Sequence, residues 1–225
     1  VTFPLAPAPQ PTHRLIPSRF PPIGLFDTVA TAADLAAVME LAGWTNDRLV
    51  AERVDRLPRS EWVYGRANAS VVMAAFLHVS PTGMRFNTGD LGAWYAAVDV
   101  RTSAAEVGHH LRREAVARHL PELSRTYRAY SARIGGEHVD IRGQQAAHPE
   151  FYLSDSYAAS QSFGEGVRTS GRAGILYDSV RLRGGINVAT FRPSLVLDVL
   201  QTDHFEISVA ARGRSIEVRK LGSAT

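Results

Sequence analysis

MRFNTGDLGAWYAAVDVRTSAAE, residues 84–106, carries three local signals in a row. Arg85 stands before Asn87-Thr88-Gly89-Asp90, a run of turn-forming residue types. Leu91 to Val98 is apolar and aromatic, as a buried strand requires. Thr102 or Ser103 then opens a helix. This order places an arginine at one strand end, Tyr95 within the strand and Glu106 in the first turn of the next helix. Three such side chains can converge on one pocket. The set suits an anionic ligand with a reactive sugar: a guanidinium for the anion and a carboxylate for the sugar.

Each residue also has a plainer reading. Ser103-Ala104-Ala105-Glu106 matches a capping box, in which the glutamate satisfies a backbone N–H. Arg85 reads equally as a solvated loop charge and Tyr95 as core. On spacing alone both readings stand.

Upstream, residues 1–22 hold seven of the twelve prolines. Proline fixes φ and removes a donor, so this is an extended segment, with His13-Arg14-Leu15-Ile16 as its one short strand. Thr31 with Asp34 resembles a capping box, and Leu35, Val38, Met39 and Ala42 follow helical spacing up to Gly43. A second helix spans Asn46 to Leu57. Asn68 caps a third, from Ala69 to about His78.

Downstream, Ala104, Val107, Gly108, Leu111 and Ala115 keep one helical face apolar, and Pro121 closes the helix. Leu123 to Ile141 shows a turn at Gly135-Gly136 and a short strand at His138 to Ile141. Asp155 or Ser154 caps a helix through Arg168. Gly174 to Arg181 reads as a strand with a polar end. Gly184-Gly185 turns the chain, and Ile186 to Phe191 returns. Phe205, Ile207 and Val209 alternate, as do Ile216 and Val218 beyond Arg212-Gly213, which reads as a C-terminal hairpin.

Composition bounds the function. At 225 residues and 45% hydrophobic, the chain is long enough to bury a core without staples. It has no cysteine, which rules out disulfides and thiolate metal sites and suits the cytoplasm. No apolar run approaches the ~20 residues of a membrane span. The net charge of +3 comes from scattered arginines, which favours an anionic small ligand over nucleic acid. His109 and His110 are adjacent, so they leave the helix in different directions, and no metal site is expected. There is no phosphate loop, no three-glycine dinucleotide spacing and no Gly-x-Ser-x-Gly elbow. The residues alone point to a soluble α/β domain with an anionic-ligand pocket.

In order and spacing, several pieces resemble the RES-domain family. They are Arg85-Phe86-Asn87 with Gly89, Trp94-Tyr95-Ala96-Ala97, and Thr102-Ser103-Ala104-Ala105-Glu106. Gly174-Ile175-Leu176-Tyr177, Ser179-Val180-Arg181, Gly184-Gly185 and Asn187-Val188-Ala189 follow, before Phe191-Arg192-Pro193. His13-Arg14 resembles the family's opening strand. Met84 departs from the usual glycine before the arginine, and the helical section at 31–78 separates Arg14 from Arg85 more widely than in compact members.

The resemblance implies an α+β single domain with an ADP-ribosyltransferase-like mixed β core flanked by helices. It divides the chain into a Pro-rich segment, 1–12, and a catalytic domain, 13–225. It implies a toxin of a bacterial toxin–antitoxin pair that degrades NAD, most simply by phosphorolysis to nicotinamide and ADP-ribose 1″-phosphate. Transfer of ADP-ribose to a protein, or non-catalytic nucleotide binding, are the alternatives. NAD is then substrate, phosphate co-substrate, and no cofactor or metal is required. Arg85, Glu106 and Ser179 take the catalytic roles, and Arg14, Tyr95 and Asn187 bind substrate. The implied partner is an Xre-like antitoxin that covers the active site, in a complex compatible with homo-oligomers, without direct nucleic-acid or membrane binding.

Overall fold

The computed structural model describes residues 2–20, 24, 26–31, 33–34, 53 and 55–222. Among them, nine strands form one sheet: β1 (Leu5–Pro7), β2 (Thr12–Pro17), β3 (Trp94–Ala97), β4 (Glu122–Ile134), β5 (Glu137–Asp140), β6 (Gly174–Asp178), β7 (Ile186–Thr190), β8 (Val196–Ala210) and β9 (Ile216–Leu221). Their order across the sheet is β1-β5-β6-β7-β3-β2-β4-β8-β9. β5 and β6 run parallel, and the other pairings are antiparallel. With helices α1 (Ala69–Leu77), α2 (Val100–Ala117) and α3 (Ala158–Thr169), this is an α+β fold with a mixed core sheet flanked by helices. No helix among the described residues is long and apolar enough to cross a membrane.

Side chains alternate across the sheet, so each strand feeds two cores. On one face Trp94, Ala96, Leu176, Val188 and Tyr130 pack under α1. On the other, two clusters lie side by side. Ile175, Tyr177, Ala189 and Phe86 form one with Val167 of α3, and Leu15, Tyr127, Phe205 and Ile207 form the other under Ala104 and Leu111 of α2.

The sheet has a weak seam. β2 pairs with β4 over six residues but with β3 only at His13–Ala97. Beyond that pair β2 and β3 diverge, and the freed carbonyl of Tyr95 accepts a hydrogen bond from Arg14 Nη1 at 3.1 Å. A buried carbonyl left bare would cost about 1–3 kcal/mol, so the arginine stabilises the fork.

Several expectations need correction. β1, which the sequence did not reveal, pairs with β5, so the Pro-rich segment contributes to the sheet. β4 runs thirteen residues through a stretch that had shown only a turn and a short strand. α1 spans the expected residues, but Asn68 does not cap it; Asp27 accepts from the N–H groups of Asn68 and Ser70. α3 begins at Ala158, with no side-chain cap from Ser154 or Asp155. The Thr31–Asp34 box forms, with Asp34 N–H donating to Thr31 Oγ1 at 3.1 Å. The helices expected over Leu35–Ala42 and Asn46–Leu57 lie largely outside the described residues. The C-terminal hairpin is present, pairing Val209 with Ile216 and Ile207 with Val218.

Candidate active site

A cavity of about 260 Å³ opens in the fork between β2 and β3. One wall is α2. Its start is capped by Asp99, whose Oδ1 accepts from Thr102 N–H at 2.6 Å and whose Oδ2 accepts from the Thr102 hydroxyl. The expected Ser103–Glu106 capping box is therefore not used; the Ser103 hydroxyl donates instead to the His13 carbonyl on β2. Ser103, Glu106, Val107 and His110 line the cavity. Their i, i+3, i+4, i+7 spacing makes one stripe, beside the apolar stripe that packs on the sheet.

Among the described residues Glu106 is the one carboxylate lining the cavity. Its Oε1 accepts from Ser179 Oγ and from Asn187 Nδ2, both at 2.7 Å. Both donors use the same oxygen, so Oε2 carries neither bond. Two charge-assisted bonds fix the carboxylate's rotation. Asn187 is 2% exposed, and β-pairing puts it in a row with Tyr177, Ala97 and His13 across β6, β7, β3 and β2.

Ser179 stands behind the carboxylate and is not among the lining residues. Its hydroxyl donates to Glu106 and accepts from the N–H groups of Arg181 and Leu182, each at 3.1 Å. All three bonds of this hydroxyl run to protein groups. Ser179 orients Glu106 and closes the β6–β7 turn.

Arg85 also lines the cavity and is 7% exposed. Its Nη1 donates to the carbonyls of Phe151 and Leu153, at 3.0 and 2.9 Å, and its guanidinium lies 4.8 Å from the centre of the Tyr157 ring. The turn that aims it is closed by Met84 N–H to the Asn87 carbonyl at 2.9 Å. Gly83 precedes it at φ +71, where an added Cβ would sit 2.1 Å from the Asn87 oxygen, so the glycine is required here even though Met84 is tolerated next to it. Gly164 of α3 has the same role from behind: an added Cβ would meet the Phe86 carbonyl oxygen at 2.0 Å.

Tyr95 lines the cavity with its ring, while its hydroxyl is engaged elsewhere. It donates to Asn87 Oδ1 and accepts from Phe86 N–H, at 2.8 and 2.9 Å. Burial pushes the phenol well above its usual range. The hydroxyl is thus committed to holding the Arg85 turn. Arg14, at the fork, lies 4.8 Å from the Trp94 ring, and burial brings its guanidinium down to about 10. It stays charged at neutral pH.

The structure thus places Arg14, Arg85, Tyr95, Glu106 and Asn187 around one cavity and Ser179 just behind it. The sequence reading passed over Tyr157, Tyr177 and Arg181, which also line it. Arg181 was legible as the polar end of β6; the two tyrosines looked like any core aromatics. With Arg14, Arg85 and Arg181 against Glu106, the cavity is cationic and fits an anionic ligand. Among the described residues no group of three or more His, Asp or Glu is arranged to hold a metal.

Uncharacterized protein y4oC of Sinorhizobium fredii is 26% identical over 209 residues, covering 86% of this chain and 80% of that protein. In structure, the chain is similar to one in the crystal structure of the M. tuberculosis MbcT–MbcA toxin–antitoxin complex, at 16% identity and a TM-score of 0.39, over 54% of this chain and 73% of that one. The RES domain profile matches residues 53–210, a span that holds Arg85, Tyr95, Glu106, Ser179 and Asn187 and leaves out the strand of Arg14. The chain belongs to the RES-domain family.

Proposed function

We propose that this chain is the toxin of a bacterial toxin–antitoxin pair and consumes NAD by transferring its ADP-ribosyl group to inorganic phosphate. The observation that carries the reading is Glu106, locked through one oxygen by Ser179 and Asn187 in a cleft whose lining also carries three arginines, Arg14, Arg85 and Arg181. Family membership supports an enzyme that acts on NAD, and the geometry supports a glycosyl transfer that needs positioning and charge more than proton transfer.

In this mechanism Arg14 and Arg85 hold the pyrophosphate. Among the described residues both bonds from the Arg85 guanidinium to protein run through Nη1, which leaves its Nη2 edge for a phosphate oxygen. Glu106 Oε2 accepts from a hydroxyl of the nicotinamide ribose. The glycosidic bond breaks with its electron pair leaving on nicotinamide, which neutralises the pyridinium. Positive charge that develops at the ribose carbon lies beside the carboxylate, the kind of contact that strengthens in the transition state. A phosphate oxygen, seated by the spare arginine donors, then forms the new bond and yields ADP-ribose 1″-phosphate. The cavity is near the lower end of small-ligand sites, roughly 300–1,000 Å³, so a dinucleotide would lie extended along the fork rather than be fully enclosed. An Xre-like antitoxin laid over the mouth of the cleft would block substrate entry, and the reaction would take place in the cytoplasm.

The test is mass spectrometry of products from NAD and purified protein, with and without phosphate. We expect NAD loss to rise with phosphate and a phosphorylated ADP-ribose to accumulate. Free ADP-ribose at a phosphate-independent rate would make water the acceptor. A protein carrying ADP-ribose would make the chain a protein ADP-ribosyltransferase. Tight NAD binding with no turnover would leave a nucleotide-binding module.

A further inference from the structure

The cavity has two chemically different ends. Around Glu106 the lining is charged or hydrogen-bonding: Arg85, Asn187, Tyr177 and Arg181. The other end lies where the fork opens toward α1, and its lining is small and neutral. It includes Ala75 of α1, His78 and Ser80 just after it, Gly92 before β3, and Ala96. Ala75 and Ala96 belong to the core on the α1 face, whereas Glu106 rises from α2 on the opposite face. A ligand occupying both ends therefore threads the fork past Arg14, the cation placed between them.

We propose that this second end is a nucleoside subsite, in which the His78 ring stacks on the adenine of a dinucleotide and Ser80 offers a hydrogen bond to its edge or ribose. The inference rests on the reading of the Glu106 end as the nicotinamide-ribose site.

The wall has the chemistry such a group needs. A flat, uncharged heterocycle is accommodated by small apolar neighbours and a stacking ring, with few polar contacts. His78 and Ser80 are both exposed, and the Ser80 hydroxyl is shared with Thr82, whose hydroxyl lies 3.0 Å from it. Although the residue is exposed overall, partial desolvation of the His78 ring by its neighbours and, secondarily, Arg53 push the imidazole toward its neutral form. The wall is also rigid. Arg53 Nη1 donates to the Leu77 carbonyl at 2.7 Å and its Nη2 to the Gly89 carbonyl at 3.0 Å, tying the end of α1 to the strand approach. At Gly92 an added Cβ would lie 2.2 Å from the Ala75 carbonyl oxygen, so backbone meets backbone there. The subsite is built from the end of the helical section that separates Arg14 from Arg85, together with Ser80, Gly92 and Ala96.

The experiment compares NAD with nicotinamide mononucleotide, which keeps the scissile bond and lacks the adenosine half. Nicotinamide release gives kcat/KM for each compound, and calorimetric titration with ADP-ribose gives binding without turnover. We expect the wild-type protein to prefer NAD. His78→Ala should lower the ratio of the two kcat/KM values, and weaken ADP-ribose binding, by roughly 5- to 100-fold, the range of base–aromatic stacking. His78→Phe should restore much of both, since it keeps a stacking ring. An unchanged ratio together with unchanged ADP-ribose binding in His78→Ala overturns the subsite. If no compound is turned over while His78→Ala still weakens ADP-ribose binding, the subsite stands and the proposed reaction falls.

Discussion

Replacing Glu106 by glutamine separates what the carboxylate does for the fold from what it does for a ligand. Ser179 and Asn187 both donate to Oε1, and Oε2 takes neither bond, which leaves it for a ligand in the proposed mechanism. A glutamine that keeps its carbonyl oxygen at the Oε1 position retains both bonds and presents an NH₂ where Oε2 stood. Each bond changes from charge-assisted to neutral, a loss of about 1 kcal/mol apiece at most. For a chain of this size that is a fall of roughly 2–8 °C in Tm. Glu106→Ala removes both bonds and strands two donors, one on the nearly inaccessible Asn187. At about 1–3 kcal/mol for each stranded donor it should cost two to three times as much, still within the ~5–15 kcal/mol of an ordinary domain. Activity should sort the other way. Both variants lose the negative charge beside the reacting carbon, and both should fall at least ~100-fold in kcat, the scale of one transition-state contact. The assay pairs nicotinamide release with thermal unfolding on the same preparations. Full activity in Glu106→Gln refutes the role assigned to Oε2; equal destabilisation by both substitutions refutes the shared-oxygen geometry.

Expression of the chain alone should arrest growth of a bacterial host with falling NAD, and Arg85→Ala should relieve the arrest; arrest at constant NAD counts against the mechanism. Arg85→Lys should also lose activity, by ~10-fold or more, since an ammonium cannot hold two carbonyls and a phosphate with one planar group. Asp99→Ala should cost ~1 kcal/mol of stability, measured by denaturant unfolding, because it uncaps α2 and frees Thr102; Ser103→Ala should leave the cap intact. His138 is fully buried, and burial lowers its pKa from 6.5 to about 4. Between those values the unfolded chain binds the proton and the folded chain does not, so stability should be complete above pH 6.5 and fall as pH drops toward 4. His109, also lowered to about 4 by burial, adds to the same slope. His138→Gln should flatten that slope in pH-dependent thermal unfolding, and an unaltered slope would assign it to other groups.

Local pattern was enough for much of this molecule. The short apolar runs around Tyr95, Tyr177 and Asn187 read directly as strands, because alternation and flanking glycines are properties of the neighbouring residues. The helical face of α2 was legible for the same reason. The residue types of the cleft could be picked out, since an arginine, a tyrosine and a glutamate keep their order and spacing in the chain. What the neighbours cannot specify is long-range pairing. β1 is three residues of a proline-rich segment and becomes a strand only because β5 supplies the partner ladder. The cap of α1 comes from Asp27, more than forty residues earlier, so no local motif announces it. Glu106 matched a capping box by spacing, yet its carboxylate bonds lie over seventy residues away, at Ser179 and Asn187. The hydroxyls of Ser179 and Tyr95 find their protein partners only once the sheet closes. Composition and periodicity determined which segments are helix or strand and which residues carry chemistry; the meeting of distant strands and the fork between β2 and β3 determined which of those residues face the cleft, because hydrogen-bond partners are assigned by distance in space rather than along the chain.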